Sequence, residues 1–395
     1  MKNPVLRATL QGMLLDGLFW AGYCSFGSFI VPFLLDSGFS ESSASIVMTA
    51  ISTISFLVQP LTGHLCDTRV SQRQVYLTLS ACSIPLLLLL PHAAGNAPLT
   101  LLIMFCLTVS LYQVPGLVDS WIIHMKKQYP TLNYGLPRGT GSLVFAATAQ
   151  IMGAVTVHYG HGARFLMGAV VLVCSMGAAY FIRQKPPVSD ESAPQTQVPA
   201  KEKAPVSLLL KNRTYLLVLG ITFLALAGTS CVSAFLPMLA KRLGGDSGTV
   251  GSCLAVAALC EVPPMFLMGS VLKKVRAKHT ILFASFFHIF RLSLHLVVPN
   301  VGSLIGIQVF DGLSFAILWP SAINYINDIV DERIKATAIM TFTSVGLGGS
   351  NIFGNALGAA LLPIIGVYGV FAVCTGLTVL AFLLALLGFA RKWWI

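Results

Sequence analysis

Twelve stretches of mostly apolar residues follow one another along this chain, and no other feature limits its fold so strongly. A helix that crosses a bilayer needs about 20 such residues, because only an internally hydrogen-bonded backbone is stable in hydrocarbon. The chain is 55% hydrophobic and only 10% charged, with a mean hydropathy of +0.80, whereas soluble domains carry about 25% charged residues. We therefore predict an all-α membrane protein with 12 transmembrane helices.

The predicted spans form two sets of six. The first set covers residues 12–36, 43–64, 75–91, 98–123, 136–158 and 163–183. The second set covers residues 214–240, 248–272, 278–298, 301–327, 335–358 and 364–390.

A polar segment separates the two sets. Residues 184–213 are rich in Pro, Ser and charge and show no apolar period, which is typical of a flexible linker. We predict an N-terminal six-helix bundle in residues 1–183, this linker, and a C-terminal six-helix bundle in residues 214–395. Similar loops follow the second and eighth spans, since Gly63 and Gly269 each precede a hydrophobic turn and a charged run. Two related halves are the usual architecture of alternating-access carriers.

Basic residues are distributed unevenly between the two sets of loops. With the N-terminus in the cytoplasm, 21 Lys and Arg residues fall on that side and only Arg164, Lys241 and Arg242 on the other. This asymmetry is a strong orientation signal, so the net charge of +11 marks topology and not a nucleic-acid surface. We predict a multi-pass protein of the inner (cytoplasmic) cell membrane, with both termini and the linker in the cytoplasm.

We select seven ionisable residues from the predicted spans, where a charge is costly and normally faces a cavity and a partner. They are Asp16, Asp119, Arg138, Glu261, His288, Arg291 and Asp311. Arg291 needs a buried carboxylate partner, and Asp311 and Glu261 are the candidates. His288 lies one helical turn before Arg291, on the same helix face. These groups could carry a coupling proton, or they could form static ion pairs. For proton coupling we select Asp311, Arg291, Glu261, His288 and Asp16.

Several segments resemble the major facilitator superfamily and, within it, the lactose permease-like branch of oligosaccharide and nucleoside proton symporters. Residues 50–63 are similar to that branch's second helix. The pattern of Gly63, Asp67 and Arg73 resembles the superfamily's loop signature, which implies a conformational latch; a loop that only sets topology is the alternative. Residues 118–122 and 134–145 are similar to the end of its fourth helix and the start of its fifth.

The resemblance implies specific roles for site residues. Asp119 and Arg138 would bind solute hydroxyl groups as a pair, and Phe145 would lie beneath an apolar sugar face. Glu261 and Arg291 resemble features of the eighth and ninth helices of this branch, and we add Glu261 and Trp319 to the predicted substrate contacts. The sequence departs from the branch in several places. Asp311 stands where a His is usual, and Ser314 stands where lactose permease has its proton-carrying Glu. The Asp–Lys pairs between helices seven and eleven have no counterpart, and the stacking Trp is a Phe.

Other functional classes are disfavoured. The nine cysteines are scattered, with no CxxC and no Cys/His cluster at metal spacing. No nucleophile–base constellation or Walker motif is present, so we predict no enzyme, no metal and no cofactor. We predict a proton-coupled symporter of a small polar organic solute, a sugar or a nucleoside, working as a monomer by alternating access. The alternatives are a proton-linked exporter of amphiphilic compounds and a membrane sensor without transport.

Overall fold

A computed structural model describes residues 4–68, 70–129, 135–182, 209, 211–331 and 334–394 of this chain. The regular elements among these residues are helices. In the first half they are α1 (Pro4–Gly27), α2 (Ile30–Asp36), α3 (Glu41–Thr68), α4 (Gln72–Leu89), α5 (Ala97–Ser110), α6 (Val114–Gln128) and α7 (Gly135–Phe181). In the second half they are α8 (Arg213–Arg242), α9 (Ser247–Val271), α10 (Ala277–Leu294), α11 (Val301–Ile307), α12 (Asp311–Ile329), α13 (Lys335–Thr343) and α14 (Ser350–Ala390).

Nine helical stretches within the described residues are long and apolar enough to cross a membrane. They are Pro4–Asp36, Glu41–Cys66, Gln72–Ala93, Ala97–Lys126, Leu136–Phe181, Arg213–Arg242, Ser247–Val271, Val301–Ile329 and Thr337–Ala390. Two of them, at 46 and 54 residues, are too long for one crossing and contain a backbone break. With these divided and the 18-residue α10 added, the described chain has twelve spans at the predicted positions. The predicted fold class is confirmed.

The break in α7 is a hairpin turn. Gly160 has φ 78° and ψ 179°, a conformation that is essentially restricted to glycine. Before this residue α7 runs parallel to α1, since Gly12 lies against Pro137 and Gly17 against Val144. After it the direction is reversed, since Gly22 lies against Leu172. The backbone thus reverses direction at a glycine, and no polar loop separates the two arms of α7.

The second half repeats this arrangement. Gly366 has φ 67° and ψ 179° in α14. Gly354 contacts Ala227 of α8 before the turn, and Gly388 contacts Leu217 after it. In each half, therefore, the first long helix packs between the two arms of the hairpin. Two 3₁₀ turns add to the repeat, because Leu111–Gln113 interrupts one span of the first half and Gln308–Phe310 the corresponding span of the second.

The bundle has two distinct ends. We call the end that holds Pro4 and Arg391 the terminal end, and the other, with residues 36–41 and 242–247, the far end. At the far end the two halves pack closely, because Gly153 of α7 leaves room for the backbone of Ser247 in α9. Toward the terminal end, Leu57 and Leu61 of α3 are 62% and 69% exposed. The two halves also meet toward this end, because a Cβ at Gly139 of α7 would lie 2.9 Å from the Phe266 ring of α9.

The predicted linker lies mostly outside the described residues, which omit 183–208 and 210.

Candidate functional site

A cavity of about 620 Å³ lies between the two halves. Its aromatic lining comes from Trp20, Tyr23, Phe56, Tyr112, Phe145 and Phe315. Its hydroxyl and amide groups include those of Ser52, Ser55, Gln59, Thr229, Asn351 and Asn355. The described residues that line it include no Asp, Glu, Lys or Arg. Rings that cover apolar faces, together with a few neutral hydrogen-bonding groups, suit an uncharged polar solute.

A smaller chamber of about 230 Å³ adjoins this cavity and contains the charges. It shares Trp20, Phe145 and Leu254 with the larger cavity. Arg138 reaches it from the first half, and Glu261 and Asp311 reach it from the second. The fold thus places ionisable residues of α7, α9 and α12 around one space, as their costly position in predicted spans suggested.

The first wall of the chamber consists of residues predicted from the sequence. Nε of Arg138 lies 4.0 Å from Oδ1 of Asp119, and each side chain is about one-third exposed. The Arg138 guanidinium lies over the Trp20 ring, 5.1 Å from its centroid. Phe145 meets the same indole edge to face at 5.9 Å. The structure therefore brings Asp119, Arg138 and Phe145 together and adds Trp20, an aromatic that a helical pattern alone does not distinguish from packing.

The second wall is a buried hydrogen-bond network. Nη1 of Arg291 donates to Oδ1 of Asp311 at 2.5 Å, and Nη2 donates to Oε1 of Gln308 at 2.9 Å. The amide nitrogen of Gln308 lies 3.3 Å from Nε2 of His295, whose Nδ1 contacts the Arg291 carbonyl oxygen at 2.9 Å. Of the two carboxylates expected to pair with Arg291, Asp311 makes the contact.

Gln308 and His295 are not among the site residues predicted from the sequence. The available signal was the position of each residue in an apolar span, since a polar side chain there needs a partner. Gln308 stands in the 3₁₀ turn directly before Asp311, and short 3₁₀ segments within a helix often mark a functional hinge. The amide pair Asn351 and Asn355 was also missed, although a spacing of four places both on one helix face.

His288 connects the network's helix to the central cavity. Thr229 donates its hydroxyl to the Ala225 carbonyl at 3.0 Å, and Nδ1 of His288 lies 3.0 Å from the same hydroxyl oxygen. The ring is fully buried, and its Nε2 has no hydrogen-bond partner among the described residues. Thr229 itself lines the cavity.

Asp16 is a buried carboxylate in the first half. It is 0% exposed, and neither oxygen has a hydrogen-bond partner among the described residues. It packs on Gly141, where a Cβ would occupy its position. The charges of Arg138 and Asp119 both act on it. Asp16 therefore stands directly behind the first wall of the chamber.

Trp319 and the latch residues lie apart from the two cavities. Trp319 stacks with Phe342 at 5.3 Å and with Phe315 at 6.5 Å, and only Phe315 of these three lines the central cavity. At the terminal end, Arg73 lies over the Tyr180 ring at 4.7 Å.

At Gly63 an added Cβ would meet nothing within 4 Å, so no close helix contact requires this glycine in the observed conformation. The side chain of Asp67 lies outside the described part of the structure.

Ion pairs close the far end. Nη2 of Arg242 lies 3.0 Å from Oε2 of Glu41, and Nζ of Lys241 lies 3.7 Å from Oδ1 of Asp36. Both pairs connect α8 of the second half to the first half. Asp36 also contacts Nε2 of His161 at 2.9 Å. From the sequence, Lys241 and Arg242 were expected to act only as topology signals. The charge of a loop does not show whether the loop contacts the other half.

Arg164, which the sequence analysis assigned to the far-end loop, is fully buried. Its guanidinium lies over the Phe29 ring at 5.0 Å and the Phe165 ring at 4.6 Å. Nη1 donates to the Thr156 hydroxyl at 3.3 Å. Cation–π contacts replace a carboxylate partner here.

Comparisons with known proteins agree with this architecture. The model described as the MFS_1 like family matches residues 10–373. The chain is 23% identical over 379 residues to the uncharacterized transporter YwbF of Bacillus subtilis (strain 168), covering 94% of this chain and 92% of that protein. It is 26% identical over 343 residues to the maltose permease of Geobacillus stearothermophilus, covering 86% and 84%.

Solved structures with the same fold include two other transporters. The nucleoside transporter NupG superposes with a TM-score of 0.76 at 15% identity, covering 96% of this chain and 99% of that one. An auto-inhibited peptide transporter of the POT family superposes with a TM-score of 0.74 at 11% identity, covering 98% and 97%. At such low identity, the likeness shows the fold alone.

Proposed function

This chain belongs to the MFS_1 like family and is a multi-pass membrane transporter, and we propose that it is a proton-coupled symporter of a small polar organic solute, a sugar or a nucleoside. One observation carries the proposal: an uncharged cavity between the halves shares a wall with a chamber that holds Arg138, Glu261 and Asp311. Solute and proton sites that share a wall can influence each other directly.

The central cavity is the proposed solute site. Its amides and hydroxyls can exchange hydrogen bonds with solute hydroxyl groups, while its rings cover the apolar faces of a sugar or a base. Asp119 and Arg138 would bind hydroxyl groups as a pair, since a carboxylate accepts and a guanidinium donates. A maltose permease of related sequence and a nucleoside transporter of the same fold support this class. The polar lining favours such a solute over the amphiphilic compounds of an exporter.

The charge balance of the chamber supports proton coupling. Arg138 pairs with Asp119, and Arg291 pairs with Asp311. Neither Glu261 nor Asp16 has an ion pair within 4.0 Å among the described residues. Glu261 and Asp311 line the same chamber, and neighbouring carboxylates in a low-dielectric site are not both ionised without a compensating charge. Glu261 is therefore the proposed proton carrier, with Asp16 as a second site.

Conformational change would follow from that protonation. Glu261 belongs to α9 of the second half, and Arg138 belongs to α7 of the first. An ionised Glu261 attracts Arg138 across the chamber, whereas a protonated one does not. Proton uptake thus alters the attraction between the halves. His288, through Thr229, would report solute binding to the helix that carries Arg291.

Orientation and assembly complete the proposal. The protein would lie in the inner membrane of the cell. Its terminal end would face the cytoplasm, as the loop charges predict. The ion pairs at the far end would then hold the two halves together on the side opposite the cytoplasm. Gly63, Asp67 and Arg73 would form their latch in the opposite state, and Trp319 would support the cavity wall through Phe315. The protein would act as a monomer.

Transport by the purified protein tests the proposal. Proteoliposomes with a pH-sensitive dye inside should acidify when the solute is added outside at neutral pH, and an imposed inward proton gradient should drive solute accumulation. Net solute uptake with no acidification of the interior, and with no accumulation under the imposed proton gradient, would refute the coupling. Acidification only when solute is loaded inside would assign an antiporter and thus the exporter alternative.

A binding screen identifies the solute. Thermal-shift measurements with sugars, nucleosides and aromatic acids should show stabilisation by a neutral polar compound. Asn351→Leu should remove that stabilisation, because it takes an amide from the cavity wall. Asn324→Leu is the matched control, since Asn324 is exposed on α12 and bonds to the Pro320 carbonyl. A loss of the shift in both variants, or in neither, would contradict the proposed solute site.

A further inference from the structure

An apolar groove opens on the outer surface of the second half, away from the cavities. It has a volume of about 460 Å³ and lies between α9, α10 and α12. Its walls include Pro264, Leu267, Phe283, Leu313 and Ile317. Leu267 is 59% exposed and Phe283 is 46% exposed, so the groove is open to the hydrocarbon that surrounds a membrane protein.

Basic residues surround the terminal end of this groove. Val275 lines it and is 40% exposed, and it stands between Lys274 and Arg276 in the short connection from α9 to α10. Lys273 and Lys278 flank these two. The segment from residue 262 to residue 310 contains no Asp or Glu. None of these four cations has an ion pair within the described chain.

We propose that this groove is a binding site for an anionic phospholipid, with an acyl chain between α9, α10 and α12 and the phosphate group at Lys273, Lys274, Arg276 and Lys278. The two parts of the surface match the two parts of such a lipid. A helix end at the interface with an excess of Lys and Arg attracts anionic headgroups, and the apolar walls continue from it toward the middle of the bilayer. His279, at the same end of the groove, adds a hydrogen-bonding group.

The site stands behind the charged chamber. Glu261 lies on α9 three residues before Pro264, and Asp311 lies on α12 two residues before Leu313. At this level α9 and α12 are in close contact, because a Cβ at Gly312 would collide with the Cys260 carbonyl. A bound lipid would therefore contact the helices that hold Glu261 and Asp311, the two carboxylates of the chamber.

Native mass spectrometry of the detergent-solubilised full chain tests this inference. Phosphatidylglycerol and phosphatidylcholine with identical acyl chains are added separately, and retention of one lipid per protein is measured. The native chain should retain phosphatidylglycerol at least fivefold better. The variant with Lys273, Lys274, Arg276 and Lys278 all changed to Gln should lose this preference. The control R391Q/K392Q, which removes two cations from another part of the terminal end, should keep it.

The apolar part of the site has its own variant. Leu267→Asp should lower the retention of both lipids, because it places a charge on the groove wall. Equal retention of the two lipids by the native chain, or a preference that survives in the Gln variant, would overturn the proposal. Displacement of phosphatidylglycerol by an equal concentration of glycerol phosphate would also overturn it, since that result assigns a site for the headgroup alone.

Discussion

The guanidinium of Arg291 on α10 lies 2.5 Å from the carboxylate of Asp311 on α12, and both side chains are almost completely buried. A buried ion pair gives little net stability, but either charge alone is costly in the same place. Nη2 of the same guanidinium donates to Oε1 of Gln308 at 2.9 Å. The pair is therefore a structural bond within the second half as well as part of the chamber wall.

Asp311→Asn should destabilise the protein by about 3–5 kcal/mol, because it leaves Arg291 buried without a counter-charge. Thermal unfolding in detergent, followed by tryptophan fluorescence, measures the loss. Arg291→Gln combined with Asp311→Asn should recover much of it, since no uncompensated charge remains. A single variant as stable as the native protein would show that Arg291 has another anionic partner.

Glu261→Gln should separate solute exchange from proton coupling. Because Glu261 forms no ion pair in the described structure, its neutral isostere leaves no orphaned charge and mimics the protonated state. Counterflow of the solute should continue, while accumulation driven by an imposed proton gradient should fall at least tenfold and lose its dependence on external pH. Adding Gln59→Glu to the Glu261→Gln variant should not restore accumulation, because residue 59 faces the uncharged cavity. Unchanged accumulation in Glu261→Gln would place the coupling proton elsewhere, with Asp16→Asn as the next test.

The helices were predictable because a span that crosses hydrocarbon needs a long run of apolar residues. The predicted and observed span boundaries agreed within several residues. The charged residues of the chamber were also predictable, since ionisable residues such as Arg138, Glu261 and Asp311 within apolar spans normally face a cavity and a partner. Which charges pair was not predictable, because the partner of Arg291 depends on how α10 and α12 pack. Sequence reasoning likewise could not find the neutral cavity. Residues such as Ser52 and Thr229 occur throughout membrane helices, and only the fold shows that they face one space.

The ion pairs at the far end should control access from that side. Glu41→Lys should repel Arg242 and separate α3 from α8, since the native pair joins them at 3.0 Å. Hydrogen–deuterium exchange should then rise several-fold in residues 41–48 and 247–251. Glu41→Lys combined with Arg242→Glu should restore the native exchange by reversing both charges. Lys211→Glu, a charge reversal at the terminal end, should leave these segments unchanged, and an equal rise there would show a general loss of stability.

Gly160 should be required for the hairpin in α7. Its φ of 78° with ψ of 179° costs a residue with a side chain about 1–3 kcal/mol, so Gly160→Ala should lower stability by that amount, although a Cβ there would meet no neighbouring atom. Gly177→Ala is the matched control, because Gly177 lies on the exposed face of the same helix, also with open space around it. That change should be neutral or stabilising by up to about 1 kcal/mol, since alanine favours the helix. Thermal unfolding of the two variants measures the difference, and equal stability would mean that the turn at Gly160 imposes no backbone strain.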